Sequence, residues 1–172
     1  MTTIEAFIEQ ANTLAPMDCV NAKTIGANTC SLAQDYINAV YLLDSAIADI
    51  TANPSIDWDI MVSEMAYQYA IARDTDRSQQ ALNYISDNEV KDVTRARIAT
   101  EASKFNLQTA NAIVATITDE DIKNNAIANV AFIQADMNDM TTALSVASNI
   151  TDEDLFNVTK RDVINRVGRV IA

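Results

Sequence analysis

The sequence has no histidine, two glycines, two prolines and two cysteines among 172 residues, and each shortage excludes something. Without imidazole there is no Ser-His-Asp or Cys-His arrangement, no ordinary zinc site and no charge switch near neutral pH. Gly26 and Gly168 stand alone, so neither common glycine-rich phosphate loop can be written. Turns in a sandwich or barrel recur every 8–12 residues or so, and this chain lacks the residues to make them. Cys19 and Cys30 cannot found a disulfide framework or, without histidine, close a four-ligand metal site. Both read as small buried apolar residues. No run approaches the roughly 18 uncharged apolar residues of a membrane span. The opening MTTIEAFIEQ carries Glu5 and Glu9 and no basic residue, which is not a secretory signal, so a cytoplasmic address is expected.

Positive charge is the other scarcity. Twelve Lys and Arg face 24 Asp and Glu, a formal net charge of −12 that disfavours nucleic acid and anionic membranes as partners. Lys23 is the only basic side chain in residues 1–72, set against nine acids, whereas the remaining 100 residues hold eleven basic and fifteen acidic groups. One end is acidic and the other more balanced.

Apolar residues make up 49% of the chain and are spread along all of it, enough for one compact domain over residues 1–172 and unlike an acidic disordered tail. They recur with a period. ISDNEVKDV from Ile85, ITDEDIKNN from Ile117 and ITDEDLFNV from Ile150 follow one another at 32 and 33 residues, with a weaker copy at Ile50, 35 residues before Ile85. Ser86, Thr118 and Thr151 each stand three residues before an acid, the pattern of a capping box that opens a helix. Apolar positions behind them follow helical spacing, as in Val90, Val93, Ile98, Ala99 and Ala102. Polar breaks near Thr75–Asp76, Asn106 and Met137–Asp139 then turn the chain into a second helix, each marked by an alanine: Ala39, Ala81, Ala110 and Ala143. The resulting map places helices near 3–14, 17–28, 31–51, 56–73, 77–85, 88–104, 107–117, 120–135, 139–149 and 153–171.

These hairpins resemble tetratricopeptide repeats (TPRs), a helix–turn–helix family of 34-residue period. Val62-x2-Met65-Ala66-x2-Tyr69, Arg95-x2-Ile98-Ala99-x2-Ala102 and Ile127-x2-Val130-Ala131-x2-Gln134 carry the resemblance, with a degenerate earlier copy in Ala22-x2-Ile25-Gly26-x2-Thr29. The periods depart from 34, and no proline ends the second helices. The resemblance implies an all-α solenoid of about four hairpins over residues 17–152. Residues 1–16 would cap one end and residues 153–172 the other, with Lys160, Arg161, Arg166 and Arg169 on the closing helix's solvated side. It also implies a groove lined by first helices: Ser63, Tyr67, Thr100, Lys104, Asn125, Phe132, Arg161, Asn165 and Arg169. Of these, Tyr67, Thr100, Lys104, Phe132, Arg161, Asn165 and Arg169 are the candidate protein-binding residues.

Carboxylates are the only acid–base material. Asp119–Glu120–Asp121 and Asp152–Glu153–Asp154 begin helices, where capping and the helix dipole explain them. Trp58 reads as core, as do Met61 and Met65 one turn apart. With no catalytic constellation, no cofactor and no metal site expected, the function expected is a non-catalytic adaptor for a partner protein or peptide. The alternative is an acidic decoy or inhibitor that imitates nucleic-acid charge and blocks a cationic surface of a host or defence enzyme. Uncapped solenoid ends leave open a homodimer through one end.

Overall fold

The computed structural model describes residues 2–170, and among them every regular element is helical. The helices are α1 (Thr3–Ala11), α2 (Pro16–Leu32), α3 (Tyr36–Ala52), α4 (Asp59–Ile71), α5 (Thr75–Ala81), α6 (Asn88–Ala102), α7 (Leu107–Val114), α8 (Glu120–Asp136), α9 (Met140–Ala147) and α10 (Glu153–Val170). A single 3₁₀ turn, Leu82–Tyr84, follows α5. Met1, Ile171 and Ala172, which the sequence reading gives to the two caps, lie outside the described residues. No helix among those described is long and apolar enough to cross a membrane. The chain divides into two compact units, up to Thr94 and from Arg95 onward, the division falling within α6.

Each expected helix is present, but α1 and α7 stop three residues early, α2 runs on to Leu32 so that α3 starts only at Tyr36, and α5 ends at Ala81; the caps differ as well. The carboxylate one residue after each expected cap does the capping: Asp87 accepts from the Val90 amide, Asp119 from Ile122 and Asp152 from Leu155. A charged acceptor suits the positive end of the helix dipole better than a hydroxyl does. Ser86 and Thr151 are thereby free to bond elsewhere. Second helices open on Asp35, Asp74, Asn106 and Asp139, each accepting from the amide three residues on. Thr75 and Asp76, expected in a turn, are already helical. Four residues after each of these caps stands a small residue with no exposure: Ala39, Ser78, Ala110 and Ala143. Ser78, not Ala81, is the equivalent residue in α5, and its hydroxyl donates to the Ala66 carbonyl at 2.6 Å.

A chain with two glycines makes its turns another way. Gln34, Arg73 and Asn138 adopt left-handed φ of 61°, 64° and 64° just before the caps Asp35, Asp74 and Asp139. The amides of those caps reach back five residues to the carbonyls of Cys30, Tyr69 and Gln134. This is the Schellman ending of a helix, with a residue other than glycine in its left-handed position.

In the first unit α1 packs on α2 and α3, α2 pairs with α3 and touches α4, and α4 pairs with α5. Lys23 on α2 meets Asp49 on α3 while Gly26 faces Leu42, so α2 and α3 run antiparallel. In the second unit α8 pairs with α9, and α10 packs on both. Asn124 bonds Thr151 and Asp136 bonds Arg166, so α8 and α10 run parallel. First helices keep one small buried residue: Ala27, Ala66, Ala99 and Ala131 have no exposed surface. A side chain no larger than a methyl there lets paired helices approach closely. In α2 that residue is Ala27, not Gly26, a one-residue shift from the sequence register. One residue turns a helix by about 100°, and Ile25 accordingly faces solvent, 59% exposed, where Met65, Ile98 and Val130 are buried.

Candidate interaction surfaces

Within each unit polar side chains join successive first helices, at different points along them. In the first unit the Thr94 hydroxyl donates to Ser63 Oγ at 2.7 Å, 31 residues away. In the second, the Gln134 amide donates to the Ser103 carbonyl at 2.9 Å, also 31 residues away. Asp59 accepts from the Ser86 amide, the Ser86 hydroxyl and the Asp87 amide at 2.9, 3.0 and 2.8 Å. Asn124 occupies the corresponding place in α8, its Oδ1 accepting from the Thr151 amide at 2.9 Å. Asp59, Asp92 and Asn124 follow one another at 33 and 32 residues, and all three are buried. The Ser86 amide holds the Asp59 carboxyl below the ordinary range against the opposing effect of burial, with the Asp87 amide and Ser86 hydroxyl adding to it.

The candidate binding residues fall in both units. Tyr67 is half-buried on α4, whereas Ser63, expected beside it, is buried under Thr94 and leaves the surface. Thr100 donates its hydroxyl to the Ala96 carbonyl, and Lys104 pairs with Glu101 at 2.6 Å. Phe132 lies beneath the Arg166 guanidinium, 4.6 Å from its ring centre, and Arg166 in turn grips both oxygens of Asp136 at 2.9 and 2.7 Å. Arg161, Asn165 and Arg169 are exposed on α10 at four-residue spacing, opposite the buried Val163 and Val167. Asn125 is exposed on α8, and its amide donates to the Asp121 carbonyl. The structure thus groups the α10 residues and gives Phe132 a cation that the sequence did not assign to it.

Trp58 is buried as expected, but it sits just before α4 with its indole N–H donating to the Asn53 carbonyl, not inside the first turn as Val90, Ile122 and Leu155 do. Met65 is fully buried and Met61 half-buried.

Sequence reasoning misses the interior of α2. Lys23 is buried without exposed surface, its ammonium held at 2.5 Å by Asp49. The same carboxylate accepts from Cys19 Sγ at 3.3 Å. Burial, with Asp49 adding to it, pushes the Cys19 thiol up, so it stays protonated and unreactive. Cys30 is half-buried and shifted upward too, by burial and then by Asp35. The sole cation among nine acids was the visible signal for a buried pair. Nothing in the sequence pointed to its partner, 26 residues away.

A second network joins Tyr69, Asp44 and Arg77. The Tyr69 hydroxyl donates to Asp44 at 2.7 Å, and Arg77 bonds Asp44 at 3.1 Å and Asp74 at 2.7 Å. Burial and then the Asp44 carboxylate keep the phenol protonated far above its usual range. Arg77 serves both carboxylates and Tyr69 donates to one of them, which makes the network a brace between α3, α4 and α5. No protein family, no curated protein and no solved structure matches the chain.

Proposed function

We propose that the protein is a non-catalytic interaction module, a TPR-like stack of about four hairpins that holds a partner protein or peptide against its first-helix faces. The observation that carries this reading is a shared register: Asp59 and Asn124, each seven residues before the buried Ala66 and Ala131, accept the amides of Ser86 and Thr151 27 residues on, which supports a recurring hairpin of the kind that cannot cover its own apolar face. Such units serve as extended recognition surfaces. The residues proposed to bind are Tyr67, Thr100, Lys104, Phe132, Arg161, Asn165 and Arg169, with the cationic α10 face suited to acidic groups on the partner. The two unpaired thiols accord with a reducing compartment, and the cytoplasm is proposed as the site of action.

The test is affinity capture from the native host with the full chain and with an Arg161→Glu/Arg169→Glu variant. A stoichiometric protein partner, lost on charge reversal while helicity is kept, is the expected result. Absence of any protein partner, together with tight binding of a small ligand, would overturn the reading. The acidic-decoy reading draws on one observation: between residues 2 and 72 the sole basic side chain, Lys23, is buried, so every exposed charged side chain there is negative.

A further inference from the structure

Helix α2 buries polar groups beside Cys19, Val20 and Ala27 and leaves large apolar side chains exposed. Its buried positions include Lys23, Thr24 and Ser31, and Ser31 Oγ has no hydrogen-bond partner among the described residues. Its exposed positions include Met17 at 48%, Ile25 at 59% and Leu32 at 78%. An ordinary surface helix does the reverse, placing its apolar stripe against the core. Ile25 and Leu32 are seven residues apart on one face, and beside Ile25 lies a groove of about 510 Å³. Thr3, Ile4 and Phe7 of α1 form one wall, Ala22, Ile25 and Thr29 of α2 the other, and Gly26 and Leu42 the floor. Gly26 keeps that floor open and Phe7 close: a Cβ there would stand 3.1 Å from Phe7 Cε1 and 3.2 Å from Leu42 Cδ1.

We infer that this groove docks an amphipathic helix of a partner whose apolar stripe is flanked by Lys and Arg. Both walls are helices with their backbone bonds satisfied internally, so strand addition is not offered, and helix-in-groove docking is the mode that fits. The span from Ala22 to Thr29 admits about two turns of a docking helix, enough for apolar anchors at i, i+3 or i+4, and i+7. Charge decides the flanks. Asp18 continues the α2 wall one turn before Ala22, and no exposed side chain between residues 2 and 72 is cationic. A second copy of the chain would bring like charge against like on this face, so the occupant carries the opposite sign. This surface is separate from the first-helix residues proposed above and stands or falls without them.

The probe is a fluorescent 18-residue synthetic helix with a leucine stripe and lysine flanks, compared with a glutamate-flanked peptide and a scrambled lysine peptide. Anisotropy should show saturable binding of the first alone, weakening at least tenfold as salt rises from about 30 to 300 mM. Ile25→Asp should weaken it at least tenfold, whereas Ile37→Asp, 85% exposed on α3 outside the groove, should not. Each variant adds a negative charge, so attraction by charge alone would leave binding unchanged or tighten it. Hydrogen exchange should slow in α1 and α2 of the complex. Equal binding of the scrambled peptide, indifference to Ile25→Asp, or protection elsewhere in the chain would each overturn the inference.

Discussion

The α2–α3 and α8–α9 hairpins turn on the same Schellman motif and fill their interiors differently. Helix α8 buries Ala126, Ile127, Val130 and Ala131, with its polar Asn124 and Gln134 bonded to Thr151 and the Ser103 carbonyl. Helix α2 buries a lysine, a threonine and a serine beside Cys19, Val20 and Ala27, and turns Met17, Ile25 and Leu32 outward. One backbone plan therefore tolerates two ways of filling the same space. In α8 the interior is apolar and the polar groups fix register; in α2 an ion pair occupies the interior and the apolar surface is left for recognition.

The sharpest way to break this comparison is at the ion pair. Asp49→Ala leaves a lysine ammonium buried without its counter-charge and should cost about 3–5 kcal/mol in urea unfolding. Lys23→Met, which makes α2 resemble α8, should cost less than about 1 kcal/mol or stabilise, because Asp49 keeps partial access to solvent. If the two substitutions cost the same, the pair is a stabilising device and the contrast with α8 disappears.

The Asp59 and Asn124 brackets compare a charge with an amide in the same role. Asp59→Ala strands the Ser86 and Asp87 amides and should cost about 1–3 kcal/mol. Asp59 is held below its unfolded value, so its contribution is fully present above about pH 4 and is lost as the pH falls through the lower folded value. Asp59→Asn should flatten the acid limb of stability against pH. Asn124 has no charge to lose and gives its bracket no acid limb. Asn124→Asp should weaken the second unit at neutral pH, since the new carboxylate shares Thr151 with Glu120. Urea melts at a series of pH values would measure both effects.

The helices were legible because their apolar spacing and flanking polar residues agree along the whole chain. The caps were misread by one residue because Ser86–Asp87 and Thr151–Asp152 each offer two good acceptors, and the choice is made by Asp59 and Asn124, 27 residues earlier in sequence. The register of α2 was misread because Gly26 and Ala27 are both small, and the pattern favoured burying Ile25 over Lys23. That preference is sound until Asp49 supplies a counter-charge from the neighbouring helix. The outward stripe of α2 follows from the same one-residue turn, so it too was hidden. The α10 residues were legible since four-residue spacing alone sets them on one face, whereas the stacking of Arg166 on Phe132 needs two helices placed side by side.

The smallest effects concern the turns, where the two hairpins carry different side chains at the left-handed position. A left-handed φ costs an ordinary L-residue about 1–2 kcal/mol, and asparagine less because its short amide can bond its own backbone. Glycine removes that strain but enlarges the entropy of the unfolded chain, an offset of about 0.5–1 kcal/mol. Gln34→Gly should therefore stabilise the first unit by about 0.5–1 kcal/mol, and Asn138→Gly should leave the second nearly unchanged. Arg73→Gly falls between them, since it relieves the same strain and forfeits the stacking of the guanidinium on Tyr36 at 5.6 Å. Melting temperatures of the three variants should rank in that order. If Asn138→Gly stabilises as much as Gln34→Gly, the asparagine gives no local relief, and both turns hold equal strain that packing elsewhere must offset.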